Sequence, residues 1–127
     1  MKKQVIILII AVLVLLYCGN FEVKYLERTS RYALTDVGYT KNAVENKNFE
    51  LAKQHMKELE NTWDNMKVVW NIFITYDELD SIESEMVKYK QYIEEENAEE
   101  ALVAAQMLNR NFSHIVEKQR VKIENVL

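Results

Sequence analysis

Residues 49–74, with the sequence FELAKQHMKELENTWDNMKVVWNIFI, decide the fold of this chain. Apolar side chains recur there at alternating steps of three and four residues, at Phe49, Ala52, Met56, Leu59, Trp63, Met66, Trp70 and Phe73. Because an α-helix turns once in about 3.6 residues, this spacing places them all on one helix face. Asn48 is a favourable N-cap for the segment. Val69 and Ile72 widen the apolar face, which predicts deeper burial near the C-terminal end of this helix.

The two segments that follow repeat this pattern. The apolar face of a third helix consists of Tyr76, Leu79, Ile82, Met86, Tyr89 and Ile93. That of a fourth helix consists of Ala101, Ala105, Leu108, Phe112 and Ile115. Thr75 or Asp77 can cap the third helix, and Asn97 followed by Glu100 resembles a capping box for the fourth. The fourth helix continues toward the C-terminus by composition, and the pattern leaves open a break near Glu117.

The first bundle helix is the least regular, with a face formed by Leu26, Ser30, Ala33, Val37, Thr40 and Val44. We expect it to continue from the N-terminal segment without interruption, with Gly38 as its weak point. The connections between helices are short, which forces consecutive helices to be antiparallel. The sequence therefore predicts an all-α fold, with an antiparallel up-down four-helix bundle in residues 22–127. Its helices are expected at about residues 22–45, 49–74, 77–95 and 98–125.

Residues 5–18, VIILIIAVLVLLYC, contain no charged side chain and follow the basic pair Lys2 and Lys3. Such a segment is a cleaved signal peptide, a lipoprotein signal or an uncleaved membrane anchor. The residues after it lack the small pair that signal peptidase requires. Bulky Tyr17 precedes Cys18, where lipidation would require a small residue. We therefore predict that residues 1–21 form one transmembrane helix, with lipidation of Cys18 as the alternative.

The predicted span is short, since residues 5–21 form about 25 Å of helix against a bilayer core of about 30 Å. Basic residues occur at both of its ends, so their number does not decide the orientation. The short N-terminal region and the long C-terminal domain decide it instead. We predict a single-pass protein of the cell membrane with a cytoplasmic N-terminus and an extracytoplasmic bundle. Only four residues precede the span, so we expect no cytoplasmic output domain in this chain.

The charge of the bundle excludes some classes of partner. Of the 16 basic residues, Lys2 and Lys3 lie outside the bundle, which leaves 14 against 20 acidic residues and a net charge of −6. Nucleic-acid binding requires clustered Lys and Arg, so we predict no nucleic-acid partner. The one cysteine, Cys18, lies in the anchor, so the bundle has no disulfide. The absence of Pro and the presence of only two Gly argue against an all-β fold.

Two aromatic sets are candidate functional residues. Tyr25, Tyr32 and Tyr39 recur at intervals of seven residues beside the apolar face of the first helix. They are a candidate protein interface, because Tyr is enriched there, or they close the groove between two helices. Trp63 and Trp70 are one heptad apart. Their spacing is typical of core packing, and the functional alternative is that they line a pocket for a small molecule.

No catalytic signature emerges from the titratable residues. His55 with Glu58, and His114 with Glu117, share helix faces, but the order is reversed relative to di-iron bundles, and the pairs are expected on the solvated surface. The acidic residues from 94 to 100 lack the spaced ligands of a calcium loop. We predict no metal, no cofactor and no enzymatic activity.

The order of several short motifs resembles a known family. These are NFELA at 48–52, Trp63 and Trp70, FITYDELDSI at 73–82, YIE at 92–94, SHI at 113–115 and IENVL at 123–127. They are similar to a family of short, N-terminally anchored helical proteins from endospore-forming bacteria, catalogued as a domain of unknown function. Typical members carry His where this chain has Tyr76, which argues against a shared role for a histidine pair. The resemblance implies an anchored bundle and brings no activity.

These observations predict a membrane-anchored helical bundle that acts as a protein-interaction or structural module at the membrane surface. Its expected partners are the lipid bilayer, through the N-terminal helix, and another protein or a second copy of the chain. The alternative is a small-molecule sensor that binds its ligand between helices near Trp63 and Trp70.

Overall fold

The computed structural model describes residues 1–126, which form four α-helices and no strand. Leu127, the last residue of the predicted bundle, lies outside the described residues. The helices are α1 (Lys2–Glu45), α2 (Phe49–Phe73), α3 (Tyr76–Glu94) and α4 (Ala98–Val126). The predicted all-α fold is confirmed, and α4 continues without a break at Glu117.

The four helices form an up-down bundle in which each helix packs against two neighbours. Helix α1 contacts α2 and α4, and α3 completes the ring by contacting α4 and, less extensively, α2. Short turns connect consecutive helices, so α1 and α3 run in one direction while α2 and α4 run in the other. The turn between α2 and α3 and the C-terminal end of α4 therefore lie at the same end of the bundle as the middle of α1.

Helix α1 is one continuous helix that passes through two different environments. All side chains of residues 1–15 are exposed, whereas Leu26, Ala33 and Val44 are completely buried in the bundle. Gly38 is helical and interrupts nothing. Among the described residues this is the one helix long and apolar enough to cross a membrane. The predicted boundary between residues 21 and 22 lies inside this helix.

The core is formed by the apolar faces that the sequence predicts. Its largest fully buried side chains are Trp70, Tyr89, Phe112, Leu26 and Met56. Burying one such side chain stabilises the fold by about 1.5–3 kcal/mol. The Tyr89 hydroxyl donates to the carbonyl oxygen of Val37 at 3.5 Å. Burial raises the pKa of Tyr89 far above its ordinary value, although a hydrogen bond with Thr40 opposes this effect, so the hydroxyl stays neutral.

Two residues that the periodicity places in the core lie on the surface. Ile72 is 73% exposed and Tyr76 is 78% exposed, so the predicted deeper burial at the end of α2 is wrong for Ile72. The reason is the position of the turn. Thr75 caps α3 in a capping box with Glu78, and Tyr76 is the first residue of α3, where no neighbouring helix covers it.

Asparagine caps and left-handed residues shape the other two turns. Asn48 Oδ1 accepts from Leu51 N at 3.2 Å, and Asn97 Oδ1 accepts from Glu100 N at 3.3 Å. Just before each asparagine, Lys47 and Glu96 have φ values of 56° and 58°. In each turn two backbone N–H groups bond back to the preceding helix, as in a Schellman motif. These φ values favour glycine, because a side chain in the left-handed region is strained.

Glycine at either position is expected to stabilise the fold. Replacing Lys47 or Glu96 by Gly relieves about 1–2 kcal/mol of strain but makes the unfolded chain more flexible, so we expect a net gain of about 0.5–1 kcal/mol. The measurement is thermal unfolding of the full-length protein in detergent micelles, followed by circular dichroism. Lys53→Gly, at an exposed position within α2, is the control and should lose about 1 kcal/mol. A destabilised Lys47→Gly variant would contradict the account.

Candidate functional site

The tyrosine row lies along the outer side of α1, and its members differ in burial. Tyr32 is 60% exposed and Tyr39 is 55% exposed, whereas Tyr25 is half-buried and packs against the core. The Tyr39 ring stacks on the ring of His55 in α2, with the ring centroids 5.5 Å apart. The Tyr25 ring lies 6.3 Å from that of Phe21. The row therefore combines one ring that fixes α1 to the bundle with two that remain accessible to a partner.

A groove between α1 and α2 runs beside Tyr25 and Tyr32. Its volume is about 420 Å³, and its polar lining residues are Thr29, Thr35, Asp36, Thr62 and Asn65. Thr62 Oγ1 donates to Asp36 Oδ2 at 2.6 Å, which holds that carboxylate at the groove. Exposed tyrosine rings are enriched at protein-binding surfaces, and the polar groups beside them can form the direct hydrogen bonds that such surfaces contain. Sequence reasoning missed Asp36 and Thr62, because residues 26 positions apart on different helices carry no shared periodic signal.

Trp63 and Trp70 form an aromatic cluster with Phe112 of α4. The two indole rings are 6.0 Å apart, and the Phe112 ring lies 5.7 Å from Trp63 and 5.6 Å from Trp70, all edge to face. Trp70 is fully buried, and its indole N–H donates to Thr29 Oγ1 at 2.8 Å. A molecule between the two indoles would have to displace Phe112. The arrangement is that of a packed core.

A wider groove between α2 and α3 reaches the edge of Trp63. Its volume is about 790 Å³, and the indole N–H of Trp63 donates to Glu83 Oε1 there at 3.2 Å. Lys67 Nζ lies 3.3 Å from Asp64 Oδ1 and 3.6 Å from Glu83 Oε1. The hydrogen bond to Asp64 and the charge of Glu83 raise the pKa of Lys67. The Glu83 carboxylate therefore accepts a hydrogen bond from the Trp63 indole and also forms an ion pair with Lys67. Charged pairs line this groove.

The histidines lie apart from each other on the surface. His55 Nδ1 is 3.4 Å from Glu58 Oε2, within one helix face. Glu117 instead pairs with Arg120, which also binds Glu27 of α1, so His114 and Glu117 form no pair. Within residues 1–126 no three His, Cys, Asp or Glu side chains lie in a group that could hold a metal ion.

Together these features define the class of protein. It is a helical bundle whose first helix extends into an apolar segment long enough to cross a membrane. The model of a family described as a domain of unknown function (DUF4363) matches residues 20–126, and the chain belongs to that family. No curated protein and no solved structure matches the chain.

The bond between Trp70 and Thr29 is expected to contribute measurably to stability. Thr29→Val leaves the buried indole N–H of Trp70 without an acceptor, which costs about 1–3 kcal/mol. Thr29→Ser keeps the hydroxyl and should recover most of this loss. Thr35→Val is the control, because Thr35 is exposed and its hydroxyl bonds only to the carbonyl oxygen of Arg31. Thermal unfolding of the full-length variants checks the prediction, and equal stabilities for Thr29→Val and Thr35→Val would contradict it.

Proposed function

We propose that this protein is a single-pass membrane protein whose helical bundle acts at the membrane surface as a protein-interaction or structural module. The observation that carries the proposal is α1, which joins the exposed apolar residues 5–15 to a packed bundle in one helix. Apolar surface of this extent is rare in a soluble monomer. The resemblance to anchored proteins of endospore-forming bacteria supports the same conclusion. We further propose that the role is non-catalytic.

The orientation that we propose has the N-terminus in the cytoplasm and the bundle outside. Lys2 and Lys3 precede the apolar segment, while Lys24, Arg28 and Arg31 follow it. The basic count alone does not favour this orientation. The short N-terminal region and the long C-terminal domain favour this orientation, because long domains are translocated largely regardless of their charge.

The partner surface that we propose is the outer side of α1 around Tyr32 and Tyr39. Both rings are more than half exposed, yet each has a fixed surrounding: Tyr39 stacks on His55, and Tyr32 borders the groove that contains Asp36. Rigid, amphipathic tyrosine rings supply contact area at low cost in conformational entropy. The partner is a second protein or another copy of this chain.

Removal of the two exposed rings is expected to abolish partner capture while the fold stays intact. Cells that express the tagged full-length chain would be treated with a crosslinker, and captured proteins would be identified by mass spectrometry. We expect the Tyr32→Ala/Tyr39→Ala variant to lose captured partners several-fold. Tyr25 is left unchanged because it packs against the core.

The matched control is Val87→Ala/Val103→Ala, which removes exposed apolar side chains from α3 and α4. This control should capture partners as the wild type does. Capture of only the protein itself would indicate self-association through the same surface. Equal capture by both double variants would contradict this location of the interface.

A second candidate is a small molecule bound in the groove between α2 and α3. The observation that favours it is the size of the groove, about 790 Å³, with one edge of Trp63 at its wall. A pocket for a drug-sized ligand is about 300–1,000 Å³. This candidate places the ligand beside Trp63 rather than between Trp63 and Trp70. It predicts that the changes at Tyr32 and Tyr39 leave the function unaltered.

A further inference from the structure

Apolar side chains are exposed where the bundle ends nearest to the N-terminal segment of α1. Ile72 and Tyr76, on either side of the turn between α2 and α3, are 73% and 78% exposed. Phe73 lies between them and is half-buried. We refer to Ile72, Phe73 and Tyr76 as the base patch. All three belong to predicted core faces, but only Phe73 packs against the core, and Ile72 and Tyr76 remain exposed.

The height of the base patch along α1 follows from an interhelical hydrogen bond. Trp70 Nε1 donates to Thr29 Oγ1 at 2.8 Å, so residue 70 of α2 lies level with residue 29 of α1. Because α2 runs antiparallel to α1 and ends at Phe73, Phe73 lies level with about residue 26, and the turn that leads to Tyr76 follows directly. At about 1.5 Å per residue, Phe73 is about 8 Å beyond Phe21, the last residue of the predicted span.

Helix α4 ends at the same height. Arg120 Nε donates to Glu27 Oε1 at 3.2 Å. Six residues further along α4, Val126 lies level with about residue 21 of α1 by the same antiparallel geometry. Two independent contacts therefore place this end of the bundle within about 8 Å of the end of the predicted span.

An apolar groove connects the base patch with the exposed segment of α1. Its volume is about 520 Å³, and it is lined by Val12, Leu15 and Gly19 of α1 together with Ile72, Phe73 and Ile123. The apolar surface of the predicted span thus continues onto the underside of the bundle. Glu22 and Lys122 also line the groove, and this pair of opposite charges lies near the predicted depth of lipid headgroups.

We infer that the base patch is a lipid-contacting surface, which rests on the proposed membrane anchor. The bilayer core is about 5 Å thicker than the predicted span, so about 2–3 Å of core and then an interfacial layer of about 5–7 Å lie beyond Phe21. This range reaches the height of the base patch. Tyrosine is enriched at this depth, where its ring is in contact with lipid and its hydroxyl with water. The groove accepts the upper part of an acyl chain, and the bundle rests on the membrane in a fixed orientation.

This inference is tested with depth-dependent fluorescence quenching on the full-length protein. A Cys18→Ser background carries Asp77→Cys, labelled with a nitrobenzoxadiazole fluorophore beside the base patch. The protein is reconstituted in vesicles of phosphatidylcholine and phosphatidylglycerol that contain a lipid with a nitroxide near its headgroup. We expect strong quenching of this label and a several-fold loss of that quenching when Ile72→Ser/Tyr76→Ser is added.

Two reference labels separate the inference from the proposal on which it rests. A label at Leu15→Cys reports insertion of α1, and one at Glu50→Cys reports the far end of the bundle, where the side chain is 89% exposed. Quenching at residue 15 with no more quenching at 77 than at 50 would overturn the base patch and leave the anchor standing. No quenching at residue 15 would overturn the anchor as well. Quenching at 77 that persists in the Ile72→Ser/Tyr76→Ser variant would also overturn the assignment.

The matched variant is Val87→Ser/Val103→Ser, which changes exposed side chains away from the base patch. It should leave the quenching at residue 77 unchanged. All four substituted side chains are exposed, so circular dichroism should show the same helix content for both double variants.

Discussion

Everything else in this structure depends on the continuity of α1. One backbone carries the exposed apolar residues 5–15 and, without a turn, the buried face that begins at Leu26. Helices α2 and α4 pack on that face, and α3 closes the ring by contacting them. The position of the bundle relative to the apolar segment is therefore set by a rigid helix rather than by a flexible linker. In the proposed membrane arrangement, such a module has one end fixed toward the membrane and one side turned outward.

Helix α1 both carries the apolar segment and packs closely in the bundle. Its close packing depends on a match in size between its side chains and those of the facing helices. Its buried face consists largely of small or hydroxyl-bearing side chains, such as Ser30, Ala33 and Thr40. The large rings of Trp70 and Phe112 fill the space opposite. The buried hydroxyls bond to their own helix, with Thr40 Oγ1 donating to the carbonyl oxygen of Asp36 at 2.7 Å. Within residues 1–126, no buried side-chain nitrogen or oxygen atom lacks a hydrogen-bond partner. The Thr29 hydroxyl differs from the others because it also accepts a hydrogen bond from the indole N–H of Trp70 in α2.

Periodicity predicted the four helices and most of the core, because burial of one helix face is a local property of the sequence. It failed at Ile72 and Tyr76, because the period does not show where a neighbouring helix ends. Pairs such as Asp36 with Thr62, or Glu27 with Arg120, join different helices, and a single sequence contains no signal for them. The tyrosine row was visible from its spacing. The division of that row into a packed Tyr25 and exposed Tyr32 and Tyr39 required the structure.

The most direct test of the account is a distance measurement along α1 in a lipid bilayer. Spin labels at Tyr17→Cys and Lys41→Cys, in a Cys18→Ser background, would be measured by pulsed electron paramagnetic resonance; both positions are exposed. A continuous helix separates them by 24 residues and predicts a narrow distribution centred at about 36 Å. A broad distribution, or one shifted to much shorter distances, would show a hinge between the apolar segment and the bundle. That result would contradict the claim that one rigid helix positions the module on the membrane.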